Sequence, residues 1–376
     1  MSRLKQLHKF GQSPWYDNIE RGFLTSGKLQ EMISEHGITG VTSNPTIFEK
    51  AINGSALYDA DIQSLSKAGK DARTIYDELT TWDISRAADT LLNVYKASGR
   101  KDGFVSVEVD PHLAHDAEGT VAEAKKLYTR ISRANVMIKV PATKEGVGAV
   151  RRLTALGINV NATLIFSLSH YTEISQAYLR GLEERAAKGQ PVDNVHSVAS
   201  FFVSRIDSYL DRMLNNMMLK ERDDAKVRVM QGLGGQAAVA QAKIINDAYW
   251  RTFYGPQFSA LKSKGANIQR LLFGSTSTKN PSYSDVKYVE EIIGEGTINT
   301  LPPATIDAFN DHGVAKNTLG EGLIEARDVM AKLQAQGISV EEVCQTIQDD
   351  GVQAFISSYD KLLRSLEKKR GQFAPQ

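Results

Sequence analysis

Cysteine is nearly missing from this chain. Cys344 stands alone among 376 residues, which excludes a disulfide framework and a cysteine-rich metal site. A surplus of one charge is missing too: 45 Lys plus Arg against 44 Asp plus Glu leave a formal charge of +1. Nucleic-acid coats and membrane-surface proteins carry excess cations to neutralise phosphates, so no nucleic acid and no membrane is expected as a partner. No run of about eighteen apolar residues occurs, and residues 1–15 hold scattered basic groups without an apolar segment of the secretory kind. The expected setting is a reducing, aqueous one, the cytoplasm. Proline numbers only 10, and no Pro-rich, Ser-rich or like-charged stretch marks a linker. The length would allow two or three domains, but barrels routinely exceed the usual domain size.

What is present is an alternation of element types. Short β-branched or apolar runs fall at residues 38–44, 104–110, 136–140, 158–164, 195–201, 270–274 and 297–301, with a weaker one at 15–19. Helix-like segments such as 114–132 and 167–187 lie between most of them. Eight strand–helix units predict an α/β fold, a (β/α)8 TIM barrel. The spacing is uneven, since 45–103 and 203–269 are each long enough for several helices. After the eighth strand, Thr318 with Glu321 and Ser339 with Glu342 have the form of capping boxes. The first would open a helix with Leu319, Leu323, Ala326, Met330 and Leu333 on one face, stopping near Gly337. The expectation is one domain over 1–376, with a barrel core at about 14–312, helical insertions, and a C-terminal helical extension at about 317–370.

Residues two apart share a face of a strand. Val105, Val107 and Val109 oppose Ser106, Glu108 and Asp110; Ile158, Val160 and Ala162 oppose Asn159, Asn161 and Thr163. Thr42 and Asn44 share a parity, and Lys139 lies on the face of Met137, opposite Val136, Ile138 and Val140. The apolar parity would pack on the helices and the polar parity would enter the barrel. Its polar members come late in each strand, at the C-terminal face where barrel enzymes build their sites. A buried ammonium costs desolvation, which favours an uncharged amine able to attack carbonyls. Lys139 therefore reads as a nucleophile, or else as the partner of an inward carboxylate or a lysine snorkelling to solvent. Glu108 reads as a general acid or base or as that ion-pair partner, Asp17 as an acid or a turn residue, and Asn44 as a site amide or a helix start.

Two patterns are set aside. His112, His115 and Asp116 resemble metal ligands but follow a strand end and Pro111, where capping residues gather, and no further ligand of the right spacing follows. Gly232, Gly234 and Ala237 match the skeleton of a dinucleotide fingerprint after 227–230, without the acidic residue expected about twenty positions on. Seven scattered His and no Cys nucleophile leave no visible triad.

At these residues the sequence resembles the transaldolase family, in its longer bacterial form. The likeness is carried by WYDNI at 15–19, GVTSNPTIF at 40–48, SVEVDP at 106–111, VMIKVPAT at 136–143, GINVNATLIFS at 157–167 and SFFVSRID at 200–207. The resemblance implies a (β/α)8 barrel whose fourth-strand lysine forms a Schiff base with a ketose phosphate, and Lys139 is on the fourth strand. It implies Asp17 as the acid/base at the first strand, and Glu108 as an acid/base working through a water with Thr163. Asn44 would hold the bound triose beside Thr42, with Asn161 and Ser200 as donors to substrate hydroxyls. Arg205 would bind phosphate with Ser277 and Lys279, the last standing where more familiar members have arginine. A point charge replaces a bidentate fork there. The implied reaction moves a dihydroxyacetone unit between sugar phosphates, the substrate partners, with no metal and no cofactor, because the lysine does the covalent work. A homodimer, otherwise a monomer, is the expected assembly. A compact aldolase of the same family, a pyridoxal-phosphate barrel with a strand lysine, and a sugar-phosphate-binding regulator on a retired barrel are the rival readings.

Overall fold

Alternation along the strands divides the sheet residues between two environments. The computed structural model describes residues 2–373. Its strands are β1 (Ser13–Tyr16), β2 (Gly40–Thr42), β3 (Phe104–Glu108), β4 (Val136–Pro141), β5 (Val160–Ile165), β6 (Ser197–Phe202), β7 (Gln269–Gly274) and β8 (Ile298–Leu301). They close in sequence order into a parallel barrel, β8 pairing back onto β1 through Ser13 with Ile298 and Tyr16 with Leu301. The (β/α)8 expectation holds. Strand ends differ: β1 stops at Tyr16, so Asp17 stands just beyond it, and β2 stops at Thr42 because Asn44 already caps the helix Pro45–Gly54.

The outward valines and isoleucines Val105, Val107, Ile138, Val140 and Val160 join the helices in a core that runs from Leu4 to Leu366. The inward positions form layers. Trp15, Phe104, Met137, Val198, Leu272 and Ile298 make a separate apolar cluster inside the barrel. Two residues further along their strands stand Asp17, Ser106, Lys139, Ser200 and Thr300. Beneath the apolar layer, Arg270 donates to Ser13 Oγ at 2.7 Å and Thr297 O at 2.8 Å, and lies 3.2 Å from Asp102. Asp102 also accepts from Trp15 Nε1 at 2.9 Å. The barrel is thus plugged from below, and its open end is the C-terminal mouth.

Residues 45–103 supply the helices Pro45–Gly54, Asp59–Lys67 and Ala72–Ala97, and 203–269 supply Ser204–Met218, Asp224–Leu233, Ala237–Tyr254 and Pro256–Lys262. Residues 227–230 lie within one of these helices. The predicted cap at Thr318 is not one. Its hydroxyl donates to Glu290 O at 2.6 Å and accepts from Ile293 N at 3.1 Å, and the helix Leu323–Ala335 starts only after Gly322. Ser339 does cap, its Oγ accepting from Glu342 N at 3.3 Å, and opens the C-terminal helix Val340–Phe373. Among the described residues no helix is long and apolar enough to cross a membrane.

That C-terminal helix lies over the barrel mouth. Gln348 Nε2 donates to Ala142 O and Leu164 O, both at 2.9 Å. Leu164 has φ +57°, at a register shift in β5. Left-handed backbone at a leucine costs about 1–2 kcal/mol. Here it accompanies a carbonyl turned from the ladder toward the helix. On the helix's other side Thr46 and Ser358 share a hydrogen bond of 2.8 Å, and Lys361 pairs with Glu49 at 2.8 Å.

Two glycines give a paired test of this packing. A Cβ on Gly40 would stand 2.4 Å from the Trp15 ring, whereas one on Gly148, inside the helix Lys144–Leu156, would meet nothing within 4 Å. Gly40→Ala is expected to lower unfolding free energy by roughly 1–3 kcal/mol or more. Gly148→Ala should raise it by roughly 0.5–1 kcal/mol. Urea unfolding of the two variants checks both signs.

Candidate active site

The ends of β1 to β6 and of β8 bring polar side chains together in the mouth. Lys139, late on β4 and only 4 % exposed, donates from Nζ to Ser43 O at 3.0 Å and stands 3.4 Å from Glu108 Oε2. Ser43 is itself fixed, its hydroxyl donating to Ser106 O at 2.7 Å. The lysine is therefore both inward and paired, facing a cavity. Glu108 and Lys139 are register partners across β3 and β4, which sets their approach. Burial raises the Glu108 carboxyl above its usual range against the opposing pull of Lys139, with Asp17 adding repulsion.

Two buried oxygens beside this pair, Glu108 Oε1 and Thr163 Oγ1, have no hydrogen-bond partner among the described residues. Unpaired buried polar atoms are costly, and Thr163 lines the cavity that Lys139 faces. Asp17 accepts from Thr42 Oγ1 at 2.7 Å, and Thr42 shares a further hydrogen bond of 2.6 Å with Thr300. Its backbone N–H donates to Leu301 O at 2.9 Å, extending the β1–β8 ladder one step past the strand. Burial raises the Asp17 carboxyl, against the pull of the Thr42 hydrogen bond, Lys139 and Arg205.

Asn161 is committed at both ends of its amide. Nδ2 donates to Ser106 Oγ at 2.9 Å and Oδ1 accepts from Ser200 Oγ at 2.6 Å. Asn44 Oδ1 accepts from Ile47 N at 2.9 Å as a helix cap, leaving its NH2 for the cavity. Arg205 follows β6 at the start of its helix and makes no salt bridge among the described residues; its guanidinium sits 5.4 Å from the Phe202 ring centroid. Burial pulls it below the usual arginine range while Glu108 and Asp17 support its charge. A partly buried guanidinium with no carboxylate in contact is suited to an incoming anion. Lys279 donates to Ser277 Oγ at 2.8 Å in the loop after β7.

The sequence-derived residues Asp17, Thr42, Asn44, Lys139, Thr163, Ser200, Arg205, Ser277 and Lys279 line one cavity of about 160 Å³. Glu108 and Asn161 stand one step behind its wall, touching Lys139 and Ser200. The cavity continues into a vestibule of about 490 Å³ bounded by Asn18, Glu20, Lys50 and Pro303. Sequence reasoning missed Phe202, Ser275, Thr300 and Phe355 in the lining. Phe202 and Thr300 follow Ser200 and Ile298 by two on the inward face, a signal that could have found them. Phe355 arrives from the C-terminal helix, and no local pattern announces it.

The histidines set aside earlier serve the rim. His112 bridges Asp110 at 2.8 Å and Asp360 at 3.2 Å, His115 meets Glu145 at 3.3 Å, and Asp116 caps a helix through Gly119 N at 2.9 Å.

A family model described as Transaldolase/Fructose-6-phosphate aldolase matches residues 14–366. Along nearly its whole length the chain is similar to proteins named transaldolase. It is 44% identical over 376 residues to Transaldolase of Trichodesmium erythraeum, covering 100% of this chain and 99% of that one. It is 43% identical over 366 residues to Transaldolase 1 of Streptomyces coelicolor, covering 97% and 94%, and 42% identical over 366 residues to Transaldolase of Neisseria gonorrhoeae, covering 97% and 100%.

The raised Asp17 carboxyl sets a pH test of stability. An acid whose folded pKa exceeds its ordinary 3.8 stabilises the fold below that value, and this contribution is lost as pH rises through the raised value. Asp17→Asn should therefore melt higher than the parent protein at neutral pH. The difference should vanish as pH falls to 3.8, which thermal melts across that range would read out.

Proposed function

The chain belongs to the transaldolase/fructose-6-phosphate aldolase family, and on that premise we propose how its barrel mouth carries out the reaction. The activity is that of a transaldolase, a transferase of the non-oxidative pentose phosphate pathway. It moves a dihydroxyacetone unit from sedoheptulose 7-phosphate or fructose 6-phosphate to glyceraldehyde 3-phosphate or erythrose 4-phosphate. The observation that carries the mechanism is the amine of Lys139, buried at the mouth between Ser43 O and Glu108 and facing a cavity that also holds Asp17 and Arg205.

In its free-amine form Lys139 attacks the C2 carbonyl of the ketose phosphate. Glu108 and Thr163, each with an unpartnered buried oxygen, share the water that carries protons as the carbinolamine loses water to become an iminium. Asp17 takes the proton of the C4 hydroxyl, the C3–C4 bond breaks into the iminium, and the aldose phosphate departs. A raised carboxyl pKa suits Asp17 to accept that proton and return it. The enamine stays on Lys139, held by the Asn44 amide, the Thr42 and Ser200 hydroxyls, and Asn161 acting through Ser200. Arg205, with Ser277 and Lys279, binds the phosphate of donor and acceptor in turn, which positions the acceptor aldehyde for attack by C3.

We take the whole chain as one catalytic unit, since its core runs from Leu4 to Leu366. We place it in the cytoplasm, where the buried thiol of Cys344 stays reduced.

Borohydride reduction in the presence of fructose 6-phosphate should leave a three-carbon adduct on Lys139, located by peptide mass analysis. Lys139→Ala should lose adduct and transfer activity by about 10³-fold or more. Glu108→Gln should keep substrate binding while lowering kcat by about 10²–10⁴-fold. An unmodified Lys139, or an active Lys139→Ala enzyme, would overturn the mechanism.

A further inference from the structure

Among the described residues, Phe355 is the side chain of the C-terminal helix that lines the cavity holding Lys139. It is 3 % exposed, its ring centroid lies 6.0 Å from Lys139 Nζ, and it borders both the inner cavity and the outer vestibule. With Pro302 it forms the apolar part of the wall that the two share. Its position is fixed by its own helix face. One turn earlier, Gly351 lets the helix approach closely, for a Cβ there would lie 3.0 Å from Leu164 and 3.4 Å from the Arg205 guanidinium. A further turn back is the Gln348 anchor to the rim carbonyls. One turn later, Tyr359 meets the Tyr76 ring edge-on at 5.2 Å. Residues 348, 351, 355 and 359 follow the spacing of one helical face, so the ring is held by contacts on both sides.

We propose that Phe355 is a positioning residue that keeps vestibule water away from the intermediate on Lys139, and thereby makes the enzyme a transferase instead of a hydrolytic aldolase. The inference rests on the Schiff-base reading above. Once the C3–C4 bond has broken, the enamine has two fates. In transfer, C3 attacks the acceptor aldehyde carbon, a C–C bond forms, and the new alkoxide takes the proton held by Asp17. In release, C3 takes a proton instead, water adds to C2 of the resulting iminium, and the C2–N bond breaks to free dihydroxyacetone and the lysine amine. Both fates need the water beside Glu108 and Thr163 to undo the iminium. Only release is helped by further water reaching C3 from the vestibule, with a proton to deliver. An aromatic ring in that shared wall supplies no proton and offers water no hydrogen-bond partner beside the intermediate, whereas an acceptor drawn in by Arg205 arrives with its own binding energy.

The test is the partition between the two fates. With fructose 6-phosphate alone, free dihydroxyacetone is measured; with erythrose 4-phosphate added, sedoheptulose 7-phosphate is measured. Phe355→Ala should raise the ratio of release to transfer by about tenfold while Lys139 remains trapped by borohydride. Phe355→Leu, which keeps an apolar side chain and should fold where the alanine variant does not, should shift the ratio in the same direction by less. Dihydroxyacetone released in D2O should carry one solvent deuteron at the carbon that was C3. If both rates fall together in either variant with an unchanged ratio, Phe355 is packing only and the proposal fails. If the parent enzyme shows no adduct on Lys139, it is the Schiff-base reading that fails.

Discussion

Keeping one amine out of bulk water is the constraint on which the barrel mouth depends. An ammonium buried without partners would cost several kcal/mol, and Lys139 is 4 % exposed. Its partners are a main-chain carbonyl, Ser43 O, and a carboxylate on the adjacent strand, Glu108. Neither can drift. The Ser43 turn is tied to β3 by its own hydroxyl, and Glu108 is set opposite the lysine by strand register. The same burial that constrains the lysine raises Glu108 and Asp17 and lowers Arg205. Two acids and two cations thus meet in and just behind one small cavity, where Lys139 and Arg205 offset part of the burial of Glu108 and Asp17. A near-neutral chain can therefore hold a strongly polar site without a strongly charged surface.

The inside of the barrel could be read from sequence because a strand has a period of two, and the register that places Glu108 beside Lys139 also places Lys139 beside Asn161. Strand ends were less legible. Asn44 and Asp17 lie where ladder bonding gives way to capping and turn bonding, and that competition is settled by partners far away in sequence. Thr318 shows the same limit. Its Thr-x-x-Glu spacing suits a cap, but Glu290 O and Ile293 N engage the hydroxyl instead. The C-terminal helix was legible in its Ser339 cap, but its place over the mouth carried no local signal, for Gln348 meets a carbonyl 206 residues earlier in the chain. Family resemblance supplied Ser200, Arg205, Ser277 and Lys279, which alternation and spacing alone did not single out.

The mouth is also where the backbone departs from regular geometry. Leu164 after Thr163 and Ser275 after β7 both adopt left-handed φ, at +57° and +54°. Neither is glycine, so each stores a little strain that its neighbours hold in place. The Leu164 carbonyl receives the C-terminal helix, and the Ser275 carbonyl accepts from Ser204 N at 3.0 Å, at the start of the helix that carries Arg205. Irregular strand ends connect the barrel to the two elements, cover and cation, that complete the cavity.

The helix that closes the mouth comes from the last tenth of the chain, whereas the lysine it covers is made before the midpoint. On the ribosome, all eight strands emerge and can pair before residues 348–359 exist. During synthesis the lysine and all eight strands therefore precede their cover, and the mouth closes only once residues 348–359 are made. A barrel without this helix would leave apolar faces of the helices Pro45–Gly54 and Ala72–Ala97 uncovered.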